Sequence, residues 1–429
     1  MNTTPPGPRR GSATALVIVA ALGYFVDIYD LILFGMIGRP SLVGMGLGDK
    51  EAVERSFMLL HNTQMLGLLL GGILWGVYGD RRGRLSVLFG SILLYSVANL
   101  ANAFVTSMPA YVAIRFVAGI GLAGELGAGI TLVSEALPKG KRGYGATIVA
   151  AFGMLGAPAA YLVGHQAALA AWLGVAAWQL SYLIGGGLGL LLLLLRIGVY
   201  ESGMYAGSRA QQAHQGRFDL LFRNRRWLKK YLQCIALGLP TWYAIGILIF
   251  LAPQFAEALG LSFAVDVPRA IMLAYLGLAV GDVLSGLLSQ LLRSRRRAVG
   301  LFLLLCLLAD YGYLLLQGPH SSPFVFYLFC FCIGLSVGYW AVFVTIASEQ
   351  FGTNIRATVT TTVPNFARGA LVPITLLFIF FRSGHYLGLG TLAAALIVGG
   401  ICIGLALWAV RSMEETFSKD LDYLEEHLP

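Results

Sequence analysis

The chain has 429 residues, of which 57% are hydrophobic and 12% charged, with a formal net charge of +9 and five cysteines. Soluble domains carry roughly 25% charged residues, and the apolar residues here come in blocks of about 20, enough to cross a bilayer. That excludes a water-soluble fold. It also reassigns the positive charge, which lies in short segments between blocks and reads as membrane orientation rather than nucleic-acid binding.

Without water in the hydrocarbon each block must satisfy its own backbone as helix; the ten-residue alternation of an outer-membrane barrel is absent. Twelve blocks are predicted, at approximately 13–38, 56–79, 85–106, 109–136, 143–166, 172–196, 231–256, 269–292, 298–317, 323–348, 355–381 and 388–411. Short loops make successive spans antiparallel neighbours. The segment before span 1 holds Pro5, Pro6, Pro8, Arg9 and Arg10, and reads as a retained cytoplasmic tail, because the following apolar run is too long for a signal peptide. Span 1 carries Asp27 and Asp30 on one helix face, with Tyr24 and Tyr29 as hydrogen-bond partners. A carboxylate in hydrocarbon costs at least about 2.5 kcal/mol on insertion scales, so these acids are candidates for reversible protonation, the alternative being a structural contact to another helix. Span 2 begins with His61, Asn62 and Gln64, of which His61 reads as a surface residue.

After span 2 stands Gly76-Val-Tyr-Gly-Asp80-Arg81-Arg82-Gly83-Arg84. Gly83 permits a tight turn, and Asp80 can cap the next helix or pair with a base there. Span 4 opens on Arg115 and continues to Glu125 through Gly119, Gly121 and Gly124, ending at Ser134-Glu135 before Arg142. Arg115 and Glu125, nearly three turns apart, are candidates for a mutual pair, for a pair with span 1, or for substrate. The glycine-rich stretches read as close helix packing.

The longest loop, 197–230, divides six spans from six, and its end, Arg217 to Lys230, mixes apolar and basic residues like a short helix on the membrane surface. The units expected are an N-terminal six-helix bundle (1–196), this linker, a C-terminal bundle (231–411) and a tail (412–429). Spans 7 and 10 contribute Trp242, Tyr243, Tyr339 and Trp340; span 8 contributes Asp282; span 11 contributes Asn365 and Arg368. The cysteines all lie in apolar stretches without a C-x-x-C pair and read as inert thiols. Lys and Arg concentrate after spans 2, 4, 6, 8 and 10, which places both termini in the cytoplasm.

The halves repeat. Ser134-Glu135 recurs as Ser348-Glu349, Arg142 as Arg356 and Glu201-Ser202 as Glu415-Thr416, all at an offset of 214. Charges at the helix ends are repeated and suit a shared gating task. Deep charges (Asp27, Asp30, Arg115, Glu125, Asp282, Arg368) are not, and suit a task done once. Parallel six-helix repeats build one large transporter class, with substrate at their interface.

The segment 76–84 resembles the G-x-x-x-D-R-x-G-R signature of the major facilitator superfamily. Span 4, with Arg115 and the core Ala123-Gly124-Glu125-Leu126-Gly127-Ala128, resembles the metabolite:proton symporter branch, and Asp27-Ile-Tyr-Asp30 the D-x-x-D of that branch and of the aromatic-acid symporters. Glu201-Ser202-Gly203 and Glu415-Thr416 resemble the acidic signatures that end each half, with Gly203 where Pro is usual. The resemblance implies an all-α fold of twelve transmembrane helices in two pseudo-symmetric halves, with spans 7 and 10 lining a central cavity. Related organic-anion carriers often have a base in span 11, which would give Arg368 the anionic group of a substrate, its planar fork suiting a carboxylate or phosphate. The alternative is a bridge from Arg368 to Asp30 or Asp282.

The expected function is secondary active transport of a small organic anion across the inner membrane by a proton-coupled monomer, with no catalytic role, cofactor, metal or nucleic acid. Asp27, Asp30, Glu125 and Asp282 are the proton-coupling candidates. Arg368, Arg115, Asn365, Trp242, Tyr243, Tyr339 and Trp340 are the substrate candidates. Asp80, Arg81, Gly83, Arg84, Glu135, Arg142, Glu349 and Arg356 are the gating candidates. A rival reading follows from the excess of deep acids, namely a transporter or exporter of a cation, metal ion or metal–siderophore complex. A sensor or membrane enzyme is disfavoured because no catalytic constellation or phosphate loop is present.

Overall fold

The computed structural model describes residues 10–82, 84–125, 127, 129, 133, 142–201, 224–417 and 419. Gly83 and Glu135, the side chains of Asp80, Arg81, Arg84 and Arg142, and the predicted surface helix before Asn224 lie outside the described residues. Arg225 to Lys230, expected in that helix, are instead the first turns of span 7, whose helix runs Arg225–Tyr243 with Asn224 as its cap.

Among the described residues all regular structure is helical, and the helices build twelve spans. Spans 1 to 4 are Arg10–Gly44, Lys50–Arg82, Arg84–Asn102 and Met108–Leu122 with its continuation. Span 5 is Arg142–Met154 plus Gly156–Gly164, and span 6 is Ala177–Glu201. Span 7 continues past Tyr243 as a π-helical turn, Ala244–Ile249. Spans 8 and 9 are Val267–Leu291 and Arg295–Leu315. Span 10 is Pro323–Ser336 plus Trp340–Glu349, span 11 is Thr353–Gly369 plus Leu371–Arg382, and span 12 is Gly390–Ser412. Local chemistry sets several starts: Asp266, Ser294 and Ser322 each accept a backbone N–H of the first turn of spans 8, 9 and 10. We call the end from which span 1 starts basal and the opposite end distal.

Spans 4 and 10 break at matching places. Span 4 loses its helical ladder at Ala123-Gly124, span 10 at Val337-Gly338-Tyr339, and the repeat offset carries Gly124 onto Gly338. Gly338 lies so close to Gly281 of span 8 that a Cβ there would come 2.5 Å from the Gly281 Cα. The backbone groups near these breaks find partners on other spans, as buried polar groups must. Trp75 Nε1 donates to the Ile120 carbonyl at 2.7 Å, Asn365 Nδ2 to the Ala123 carbonyl at 2.8 Å, and the Ala341 N–H to Asp282 Oδ1 at 2.9 Å.

The halves touch at both ends. Distally, Arg39 donates to the Phe250 carbonyl at 3.2 Å, and His61 lies 4.9 Å from the Phe250 ring. Towards the base, Gly127 of span 4 and Gly76 of span 2 abut Thr361 and Thr362 of span 11, and Gly286 of span 8 abuts Thr147 of span 5. Small residues let these backbones approach.

Candidate functional site

Arg368 is buried at mid-depth. Counted from Arg382 at 1.5 Å per residue, it lies about 20 Å from the distal end. Its Nη2 is 3.6 Å from Asp27 Oδ2, an ion pair between span 11 of one half and span 1 of the other. The partner is therefore Asp27, not the Asp30 or Asp282 considered from sequence. The pair is loose: 3.6 Å exceeds a charge-assisted hydrogen bond, usually about 2.7–2.9 Å. Among the described residues, neither Asp27 oxygen, nor Arg368 Nε or Nη1, has a hydrogen-bond partner. The guanidinium lies 5.8 Å from the centre of the Trp340 ring, and Trp242 packs edge-on to Trp340 at 6.3 Å. Both indole N–H groups are buried, without acceptors among the described residues. Unpaired donors on the two tryptophans and Arg368 thus converge with one carboxylate at the junction of the halves.

The other candidates are dispersed around this centre. Asp30, three residues from Asp27, diverges from it: any side chain at Gly185 of span 6 would collide with its carboxylate, so Asp30 faces the inside of the N-terminal half. Glu125 pairs not with Arg115 but with Arg196 of span 6, bidentately, at 2.8 and 2.8 Å. Asp282 serves as an acceptor at the start of the second piece of span 10, through Oδ1. Asn365 uses its amide nitrogen on the Ala123 and Thr361 carbonyls, 2.8 and 2.9 Å away, and so ties span 11 to span 4. Tyr243 and Tyr339 turn into the C-terminal half, donating to the carbonyls of Ala395 (2.7 Å) and Leu237 (2.8 Å). Each is the chain neighbour of one member of the Trp242–Trp340 pair, of which Trp340 lies against Arg368.

Arg115 stands nearer the distal end, about 10 Å from Met108. It donates to Gln64 Oε1 and lies 4.4 Å from the centre of the Phe34 ring. His61 is not a surface residue: the span 2 helix starts earlier than predicted, at Lys50, and the imidazole is buried against Phe34, Phe57 and Phe250.

At the basal end Glu349 pairs with Arg295 at 3.4 Å and accepts from Thr416 at 2.7 Å. Arg356 Nε donates to the Ser348 and Phe351 carbonyls. Glu415 accepts from the Ser294 hydroxyl and the N–H groups of Arg295 and Arg296, capping span 9. Burial works to raise the Glu415 pKa, but these bonds and one from the Phe417 N–H outweigh it and hold the carboxyl below its ordinary value.

Sequence reasoning missed Arg196, read only as the end of span 6, and Asp310, buried in span 9 and accepting from Cys306 Sγ at 3.3 Å. A count of ionisable residues four or more positions inside each block would have found Asp310; Arg196 closes its predicted block, and only the later helix end at Glu201 puts it inside.

Comparison with known proteins agrees with this architecture. Over 96% of its length the chain is 28% identical to the 3-(3-hydroxy-phenyl)propionate transporter of Escherichia coli, covering 97% of that protein. It is 25% identical to the cis,cis-muconate transport protein of Acinetobacter baylyi over 92% of this chain and 94% of that one. A Bacillus subtilis relative, 28% identical, is matched over only about half its length, 55%. Among solved structures, the proton:xylose symporter XylE superposes with a TM-score of 0.72 at 16% identity, over 96% of this chain and 98% of that one. The Major Facilitator Superfamily model matches residues 20–372. The chain therefore belongs to the major facilitator superfamily and is a multi-pass membrane transporter, not an enzyme.

Proposed function

We propose that this transporter moves a small organic anion, of the carboxylate class, across the bacterial inner membrane together with a proton, its basal end facing the cytoplasm. The observation that carries the reading is the loose Arg368–Asp27 pair across the junction of the halves. The names of relatives support the substrate class: a hydroxyphenylpropionate transporter, a muconate transport protein and a gentisate transporter. The lysine and arginine bias supports the orientation.

Charge balance supplies the mechanism. In the resting site one guanidinium and one carboxylate cancel. A substrate carboxylate that takes the unpaired N–H groups of Arg368 brings the buried centre to a net −1, which a low-dielectric site tolerates poorly. A proton on Asp27 restores neutrality. Occlusion thus favours one proton per substrate carboxylate, and the halves rock only when Arg368 is neutralised by Asp27 or by the anion–proton pair. Trp340, with Trp242 edge-on against it, offers an apolar ring surface and the pair offers two N–H donors to the rest of the ligand.

The test is uptake in proteoliposomes with an imposed pH gradient, using benzoate, muconate and nicotinate, with benzamide as uncharged control. Accumulation of a carboxylate that follows the gradient and is abolished in Arg368→Gln supports the reading. Transport of carboxylates undiminished in that variant, or of cations alone, sinks it and favours the cation or metal-complex alternative.

A further inference from the structure

Arg115 presents an unsolved charge. It is buried, its Nε and Nη1 have no hydrogen-bond partner among the described residues, and its polar neighbours, Gln64 and the Tyr182 hydroxyl, are neutral. Among the described residues no carboxylate reaches within 4 Å of it: Glu125, an acid on its own span, is taken by Arg196, and Asp30 feels its charge through space without forming an ion pair. A buried cation without a counter-ion carries the full desolvation penalty. Gln64 Nε2, beside it, is likewise buried and has no partner among the described residues.

Flat rings surround this charge. Phe34, under the Arg115 guanidinium, stacks on Phe57 at 5.2 Å with 10° between planes, and Phe57 stacks on His61 at 6.0 Å and 1°. Among the described residues neither nitrogen of His61 has a hydrogen-bond partner. The stack is closed by Phe250, which comes from the opposite half. Just above, Arg39 bonds both the Phe250 carbonyl and Glu54, its bonds to the carboxylate measuring 2.6 and 2.8 Å. When the halves part distally Phe250 leaves with the C-terminal half, and the space it vacates has an aromatic wall and a cationic floor.

We propose that Arg115, Gln64 and the rings of Phe34, Phe57 and His61 form a second anion site, distal to Arg368, which takes the carboxylate and ring of an aromatic acid before the substrate reaches the Arg368–Asp27 pair. The proposal rests on the anion-transport reading and adds to it a substrate class and a second stop on the path. Arg115 binds the carboxylate, Gln64 donates to it, and the substrate ring replaces Phe250 against His61 and Phe34.

Equilibrium binding of radiolabelled benzoate to the full-length protein in detergent tests it, with acetate as the ringless probe and thermal melting as the check of folding. Arg368→Gln should still bind benzoate. Adding Arg115→Gln to that variant should abolish the residual binding, while adding Arg115→Lys should weaken it and leave it measurable. Phe34→Leu in the Arg368→Gln background keeps every charge and should weaken benzoate about tenfold, leaving acetate unchanged. Loss of all benzoate binding in Arg368→Gln overturns the proposal, as does residual binding indifferent to both Arg115→Gln and Phe34→Leu. If Arg115→Gln fails to fold, the Arg115→Lys and Phe34→Leu arms decide. Failure here is distinct from failure of the main reading, which concerns gradient-driven uptake and the loss of it in Arg368→Gln.

Discussion

Two buried ion pairs in this molecule differ in every respect that matters. Arg196 and Glu125 lie within one half, on spans 6 and 4, joined by two parallel bonds of 2.8 Å, with Arg196 packed over Gly23 of span 1. Arg368 and Asp27 lie across the junction of the halves, 3.6 Å apart and with no hydrogen bond between them. A bidentate pair satisfies both charges and holds its helices in register. A loose pair leaves donors and acceptors open to a third charge. The first arrangement suits a bundle that moves as a rigid body, and the second suits the place where two such bodies meet and exchange partners.

The largest expected effect tests the rigid pair. Arg196→Met leaves the Glu125 carboxylate buried and alone, which in buried pairs costs about 3–5 kcal/mol. Thermal melting of the purified variant should show a large loss, or the protein should fail to accumulate in the membrane. Adding Glu125→Leu removes the stranded charge, and the double variant should recover most of the stability. A single variant that melts like the parent would remove the contrast between the pairs.

The loose pair should differ in what restores it. Asp27→Asn strands the buried Arg368 guanidinium, which should cost about 3 kcal/mol, the low end for buried pairs, and an anion bound at its open N–H groups should recover the melting temperature. Function should change: the anion no longer competes with Asp27 for Arg368, and no proton is needed for neutrality. Exchange of labelled for unlabelled benzoate across proteoliposomes should persist, while accumulation driven by a pH gradient disappears. Retained accumulation would assign the coupling proton to another group.

Much of this was legible in the sequence and the reasons are physical. Apolar blocks bounded by charged loops show twelve spans because the bilayer fixes their length. The cost of burying charge flags Arg368, Asp27, Arg115 and Glu125 without any structure. Pairing was not legible. Asp27 and Asp30 share a helix face, yet a divergence of one neighbouring position sends the first to span 11 and the second towards span 6. Which arginine meets Glu125 depends on how spans 4 and 6 pack, and no local pattern encodes that. The break in span 10 at Gly338 was hidden as well, and Asp282 read as a proton-coupling site or a partner of Arg368. Their joint meaning, a tight backbone approach with a carboxylate receiving the N–H beyond the break, needs two spans at once.

That arrangement makes a third, smaller prediction. Asp282→Ala removes the acceptor of the Ala341 N–H, and loss of a helix cap costs about 1 kcal/mol. Asp282→Asn keeps an acceptor oxygen and should cost only a few tenths. If the carboxylate acts only as a cap, the asparagine variant retains the parent's ratio of protons to substrate, measured by pH-dependent uptake; a changed ratio would give Asp282 a part in coupling.

The smallest effect belongs to the basal end, where the two acids Glu349 and Glu415 join span 9, span 10 and the tail. Glu415 is exposed at the surface, so its bonds to Ser294 and to the first N–H groups of span 9 compete with water. Its folded-state pKa is lowered, so the unfolded chain binds this proton more readily than the folded one. The stability contributed by Glu415 is therefore fully present above its ordinary carboxylate pKa and is lost as pH falls through the depressed folded value. Melting measured between neutral pH and about pH 3 should show a component of acid destabilisation that Glu415→Gln removes, the variant sitting slightly lower than the parent at neutral pH and converging with it in acid. If the two curves stay parallel throughout, the carboxylate contributes through packing and neutral hydrogen bonds, and its charge has no part in holding the tail against span 9.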